Sequence, residues 1–176
     1  ALYDPAEHRP LATRFGQDIR VMILSFRSWA RWLLGYPDAA LADTNNALKD
    51  ARGIGQAATL MFGLLNGSFT HMLCGDHAAA TEADELVALA DEKAALLWKA
   101  FGISMQGCLR ALTVKASDAV HMITSGITAL RSTGGTLWMP LWLSHLTRAY
   151  ADLGRFNAAW RCVDEAMTMI ATTKEK

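Results

Sequence analysis

The chain has 176 residues, 52% of them apolar and 19% charged, with 17 Lys and Arg balancing 17 Asp and Glu. That is enough chain for a sizeable core, and it is too apolar for disorder. A net charge of zero offers no basic face to nucleic acid or anionic membrane, and Cys74, Cys108 and Cys162 fall inside helical patterns, as the reduced thiols of a cytoplasmic protein do.

Residues 1–10 carry Asp4, Glu7, His8, Arg9 and two prolines, unlike a signal peptide, and form an irregular or short helical lead-in. A proline-free, mostly apolar run from Arg14 to Leu34 predicts a helix that stops at Gly35. Pro37 suits the first turn of a second helix, which runs to about Arg52 with Ala40, Leu41, Thr44, Ala47, Leu48 and Ala51 on one stripe. Gly53 and Gly55 break the chain. A third helix covers about 56–74 and ends at Gly75; Asp76 then caps a fourth, whose inward face carries Ala80, Ala83, Leu86, Val87 and Ala90. The next boundary, near Glu92-Lys93, has no Gly or Pro. A fifth helix covers about 94–114 and a sixth about 117–132, with Val120, Ile123, Ile127 and Leu130 inward. After Gly134-Gly135 a seventh covers about 136–153, with Pro140 in its first turn or at a kink. The eighth runs from Phe156 to about Thr172, with Ala159, Val163, Ala166, Met167 and Ile170 inward. No stretch alternates as a strand does. The span Gly53–Gly75 lacks formal charge, but Gln56, Asn66, Ser68, Thr70 and His71 suit a helix between protein neighbours better than one in lipid.

One hexapeptide sets the register. Gly35-Tyr36-Pro37-Asp38-Ala39-Ala40 recurs loosely as Gly75-Asp76-His77-Ala78-Ala79-Ala80 and as Gly154-Arg155-Phe156-Asn157-Ala158-Ala159. A worn copy begins at Lys115, so the leading positions 35, 75, 115 and 154 are spaced by 40, 40 and 39 residues. A fixed period of this size predicts a repeat architecture. The expected fold is all-α: one domain, 1–176, of four antiparallel hairpins at about 14–52, 55–92, 94–133 and 136–173, stacked as a solenoid because no hairpin buries its apolar face alone. Ala40, Ala80 and Ala159 let paired helices approach closely. Val120 follows Lys115 instead of a glycine, so the third hairpin is expected to be splayed or shifted.

The turn glycines followed by Ala40, Ala80 and Ala159 resemble the tetratricopeptide repeat, and Ala149-Tyr150-Ala151-Asp152-Leu153-Gly154-Arg155-Phe156-Asn157-Ala158-Ala159 is the best-matching copy. The resemblance implies a right-handed superhelix, here of an extended variety with a period near 40. Tyr3-Asp4-Pro5, His8-Arg9, Gly16-Gln17-Asp18, Trp32-Leu33-Leu34-Gly35-Tyr36-Pro37-Asp38-Ala39-Ala40-Leu41 and Ala129-Leu130-Arg131-Ser132-Thr133-Gly134 carry a closer one. Together they are similar to the C-terminal helical-repeat region of large bacterial proteins. In those proteins a class III adenylate/guanylate cyclase domain is followed by a nucleotide-binding signalling ATPase module. The resemblance implies a fragment of a multidomain signalling protein, in keeping with an initial alanine. Lys115 and the stretch from Glu92 to Leu97 depart from the pattern.

Few residues carry the makings of chemistry. Gly53-Ile54-Gly55-Gln56-Ala57-Ala58 matches a dinucleotide fingerprint in letters, but a helix rather than a strand precedes it. His71, Cys74 and His77 are a weak candidate metal set, because they occupy hairpin-packing positions. Asp4 and His8 read as a salt bridge or cap. Gly102-Ile103-Ser104-Met105-Gln106-Gly107 has the wrong spacing for a nucleophile elbow. His145, Arg148 and Asp152 share one helix face without a nucleophile. No cyclase metal-aspartate motif and no Gly-Lys-Ser/Thr phosphate loop occurs, so this fragment is expected to be non-catalytic and to need no cofactor. The first helices of the hairpins project Met22, Phe26, Trp29, Phe62, Phe69, Met105, His145 and Arg148 as a binding groove suited to a peptide or helix. The expected partner is a protein, or the parent's own ATPase or cyclase domain. A small-molecule effector anchored on Trp29 or Phe69 is the alternative. Neither nucleic acid nor membrane is an expected partner, and apolar end surfaces suit a homodimer.

Overall fold

A computed structural model of the chain describes residues 3–113 and 116–173. They are helical with short turns and no strand among them, and they form two compact units divided between Ala94 and Ala95. Unit 1 holds α1 (Pro5–His8), α2 (Leu11–Phe15), α3 (Ile19–Leu33), α4 (Pro37–Ile54), α5 (Ala57–Leu73) and α6 (Ala78–Glu92). Unit 2 holds α7 (Leu96–Ala111), α8 (Ala116–Ser132), α9 (Met139–Asp152) and α10 (Phe156–Thr173).

In unit 1, α3 pairs with α4 and α5 with α6, while α5 also packs on both α4 and α3. The polarity of the first pair is fixed by charge: Arg20 reaches Asp50 at 2.6 Å, Arg27 reaches Asp43 at 2.7 Å, and Arg31 donates to the Ala39 carbonyl at 3.3 Å. Rising numbers on α3 meet falling ones on α4, so the two run antiparallel. Helix α3 starts later than the expected Arg14. Gly16 takes a left-handed conformation, and the buried Asp18 caps the helix by accepting from the Arg20 and Val21 amides. Tyr3 donates to the same carboxylate at 2.8 Å, and the Asp18 amide donates to Thr59 on α5 at 3.0 Å. Asp18 thus ties the lead-in, α3 and α5 together. On α5, Gly63 faces Ala51 and Gly67 faces Leu48, letting that helix settle against α4 around Val21, Leu24 and Ala47.

Unit 2 repeats the scheme: α7 pairs with α8, α9 pairs with α10, and α9 also packs on α8 and α7. The α7–α8 pair is not splayed, contrary to expectation. A Cβ on Gly126 would lie 2.9 Å from the Ser104 amide nitrogen, and one on Gly107 would lie 2.8 Å from that of Ile123. Glycines at both positions bring the helices together, so Val120 costs nothing: the small residue facing α7 is the buried Ala119, and Val120 is half-buried. Lys115 lies outside the described residues.

The same correction applies in α6. Ala80 is exposed, and Ala79 is the buried residue. Ala40, Ala79, Ala119 and Ala159, buried in all four hairpins, are therefore spaced by 39, 40 and 40 residues. The start of α6 is one residue short because it is wound more tightly. The Ala79 and Ala80 amides both bond the carbonyls three residues back, at Asp76 and His77; in α10 Ala158 also reaches three back to Arg155, but Ala159 there and Ala40 in α4 bond four back, to Arg155 and Tyr36. Asp76 still caps, accepting from the Ala78 amide at 2.8 Å.

Two kinds of left-handed turn punctuate the chain. Within hairpins, Gly35, Gly75 and Gly154 close helices by one shared pattern, in which Tyr36, Asp76 and Arg155 donate back to Arg31, His71 and Tyr150. Ahead of each hairpin stand Gly16, Gly55, Ala94 and Gly134, at intervals of 39, 39 and 40 residues. Ala94, with φ at 51°, is a non-glycine residue holding this conformation, and it supplies the break that the letters around Glu92-Lys93 do not show. Gly53 and Ile54 belong to α4 and Gly55 ends it, so the G-x-G-x-x-A match is a helix-to-helix turn. Pro140 sits in the first turn of α9. Met167, expected inward on α10, is 61% exposed.

Candidate functional site

The expected groove residues separate by unit. In unit 1, α3 and α5 bring four aromatic side chains into one continuous set. Phe26 meets Trp29 at 5.7 Å and Phe62 at 5.8 Å, and Trp29 meets Phe69 at 5.1 Å between ring centroids, all edge-on. Edge-on contact sets the positive rim of one ring against the negative face of the next. Phe26 is 48% exposed, while Trp29, Phe62 and Phe69 are half-buried. Met22, also half-buried, lies one turn before Phe26 on the same stripe of α3. The opposite flank of α3 is held by Asp43, whose two carboxylate oxygens accept from Arg27 at 2.7 Å each, with Arg31 at 3.1 Å. The aromatic flank is thereby kept away from α4.

In unit 2, Met105 lines nothing. It is fully buried in α7, because that helix is apolar on most of its circumference and helical spacing alone does not separate core from surface there. Phe101, not expected as a site residue, centres a second aromatic cluster with Trp98, Trp138 and Trp142, at centroid distances of 6.2, 5.9 and 6.4 Å. The register carried a signal for it, since Phe101 stands 39 residues after Phe62. This cluster is mostly interior, with Phe101 and Trp142 buried.

His145 is half-buried, and burial together with the nearby Arg148 charge lowers its pKa from the ordinary 6.5, favouring the neutral ring. Arg148 and Asp152 line a depression of about 430 Å³ between α9 and the ends of α7 and α8. His145 is not part of its lining.

His71, Cys74 and His77 are not gathered around one point. His71 is buried with its Nδ1 2.9 Å from the equally buried Glu82 carboxylate on α6; Cys74 caps the end of α5, and His77 is exposed in the turn. Among the described residues, no group of three or more His, Cys, Asp or Glu is placed to hold a metal ion. Burial opposes the charge on His71, but the Glu82 hydrogen bond and charge, with Asp76, outweigh it and raise its pKa. Burial raises that of Glu82, which His71 only partly offsets. The pair therefore holds a proton inside the α5–α6 hairpin. Asp4 and His8 act locally: the Asp4 carboxylate accepts from the Ala6 amide, and the His8 ring stacks on Tyr3 at 5.3 Å.

The α3–α5 face is therefore a partly exposed set of four aromatic rings in mutual contact. No helix among the described residues is long and apolar enough to cross a membrane. No protein-family model matches this chain, and no curated protein matches it significantly.

Proposed function

We propose that the chain is a non-catalytic protein-interaction module of tetratricopeptide type, which takes an apolar or amphipathic peptide segment on the aromatic face of α3 and α5. One observation carries this reading. Phe26, Trp29, Phe62 and Phe69 come from the first helices of two consecutive hairpins and form one partly exposed aromatic set. Rigid aromatic side chains bury much area for little lost freedom, which is why they anchor interfaces. The recurring turn hydrogen bonds and the buried alanines near every fortieth residue support the repeat reading. The motifs around Trp32–Leu41 support a parent of the cyclase–ATPase signalling kind, acting in the cytoplasm, with the segment supplied by a partner protein or by the parent's own domains.

The non-catalytic part rests on how the reactive groups are used. His71 is committed to Glu82, His145 is held toward its neutral form, and burial pushes the Cys108 thiol upward, away from the thiolate. The four rings are strung along two helices, an extended face that suits a peptide better than a small effector.

The test is peptide-display selection on the purified chain, followed by affinity measurement of enriched peptides on wild type and on Trp29→Ala. Enriched sequences should carry apolar residues at helical spacing. Loss of the Trp29 anchor should cost about 2 kcal/mol, roughly thirtyfold in Kd. Peptides that bind Trp29→Ala and Phe26→Ala as tightly as wild type would place the interaction elsewhere.

A further inference from the structure

The aromatic face leaves unexplained a half-open cleft in unit 2. It measures about 270 Å³ and lies among α8, α9 and α10. Each helix contributes one stripe at helical spacing: Thr124, Ile127, Thr128 and Arg131 from α8; Leu143, Leu146 and Tyr150 from α9; Ala158, Arg161, Cys162 and Glu165 from α10. Stripes so spaced are the positions that neighbouring helices ordinarily close upon. Here α9 packs on both α8 and α10, but α8 and α10 hardly touch each other, and the space between them has a defined polarity. Its floor is apolar and buried, made by Ile127, Leu143 and Leu146. Its rim is charged and exposed, made by Arg131, Glu165 and Arg161.

The rim charges are not balanced. Arg131 pairs with Glu165 across the mouth, from α8 to α10. Arg161 forms no ion pair and no hydrogen bond among the described residues, so the rim keeps one unspent guanidinium beside an apolar floor. The Tyr150 hydroxyl also makes no hydrogen bond there, whereas the Thr128 hydroxyl is spent on the Thr124 carbonyl. Thr124, Thr128 and Tyr150 are shared with a wider groove of about 650 Å³ along α8, which gives the cavity an open approach.

We propose that this cavity is a binding site for a small amphipathic anion, an aromatic or short aliphatic carboxylate. The apolar body lies on Ile127, Leu143 and Leu146, and the carboxylate pairs with Arg161. The planar guanidinium fork matches a carboxylate in two parallel hydrogen bonds, and the binding adds the negative charge that the rim lacks. Volume allows it: an enclosed apolar cavity of about 150 Å³ takes benzene, and this half-open one of about 270 Å³ holds a ring with its carboxylate toward the polar mouth. The site is independent of the α3–α5 face, and each can fail without the other.

Benzoate and its neutral near-isostere benzamide are the probes, titrated into the 15N-labelled chain and followed by amide chemical shifts. Benzoate should give saturable shifts centred on Leu143, Leu146 and Cys162, and it should bind about tenfold tighter than benzamide. Arg161→Gln, an exposed change, should bring that ratio close to one while sparing benzamide. Glu165→Gln, which releases Arg131, should tighten benzoate. Leu146→Trp fills the floor and should abolish both. The proposal is overturned if benzamide equals benzoate on wild type, if Arg161→Gln keeps the preference, or if neither probe gives saturable shifts at millimolar concentration. Should Leu146→Trp fail to fold, the Arg161→Gln ratio decides alone.

Discussion

Replacing Gly126 by alanine tests the account of the α7–α8 hairpin directly. The added Cβ would overlap the Ser104 Oγ and sit 2.9 Å from the Ser104 amide nitrogen and 3.1 Å from its α-carbon. The hydroxyl can rotate away; the backbone atoms cannot. Comfortable packing needs about 3.5 Å or more, so the helices must separate by roughly half an ångström. Overpacking of this kind costs about 1–3 kcal/mol, while alanine returns up to about 1 kcal/mol of helix propensity. The expected net loss is about 1–2 kcal/mol, or on the order of 10 °C in the transition of a unit this size. Urea titration followed by circular dichroism and by tryptophan fluorescence reads it, as a lowered midpoint at constant slope. Gly53→Ala is the control, since Gly53 is exposed in α4 with open space where a Cβ would go. It should gain about 0.5 kcal/mol. A Gly126→Ala chain as stable as wild type, or a Gly53→Ala chain that loses as much, would refute the close-approach argument. Ser104→Gly on the Gly126→Ala background should restore only part of the loss, because the overlap with the backbone of residue 104 stays.

The other expectations concern unit 1 and its end. Ala94→Gly should stabilise by about 0.5 kcal/mol, since relief of the left-handed strain exceeds the extra freedom glycine brings to the unfolded chain; Ala94→Val should destabilise, and thermal unfolding separates them. Asp43→Ala should cost about 2 kcal/mol by denaturant titration, because it removes the acceptor shared by Arg27 and Arg31 and empties a buried position. The His71–Glu82 pair makes stability depend on pH with a definite sign. The pKa values of both groups are raised on folding, so the folded state holds the proton more tightly. That contribution is complete below the ordinary Glu value of 4.5, falls as Glu82 ionises above it, and falls again as pH rises past 6.5 through the folded His71 value. Urea midpoints measured from pH 4 to 9 should show a decline with rising pH that Glu82→Gln removes, since burial without the carboxylate lowers the His71 pKa instead of raising it; a wild-type midpoint that rises across this range contradicts it.

Three of the turns were legible because Gly35, Gly75 and Gly154 occupy backbone conformations that only glycine adopts without strain. The break at Ala94 was not, since alanine there is held by context and carries no letter signal. Ala79 and Ala80 are the same residue type, and only the tightened first turn of α6 decides which is buried. Phe26 and Trp29 could be placed on a surface because α3 alternates an apolar stripe with Arg20 and Arg27. Met105 could not, because α7 is buried around most of its circumference. The cleft among α8, α9 and α10 opens where α8 and α10, each packed on α9, do not pack on each other. Each stripe reads as core, and the failure to close is a matter of helix placement that no residue type announces.

The tightened start of α6 bears on how such a chain tolerates changes of length. Each residue added to or removed from an α-helix rotates everything beyond it by about 100°. A deletion inside α6 would turn Ala83, Leu86 and Ala90 out of the core together. The one-residue shortfall between Gly75 and Ala79 is instead taken up in the Asp76-His77 turn, before the helical phase begins. Single-residue insertions and deletions should therefore survive at Tyr36, at Asp76-His77 and at Arg155, and should be lethal to folding a few residues downstream. The period of the sequence can drift between 39 and 40 while every helix keeps its buried side facing inward.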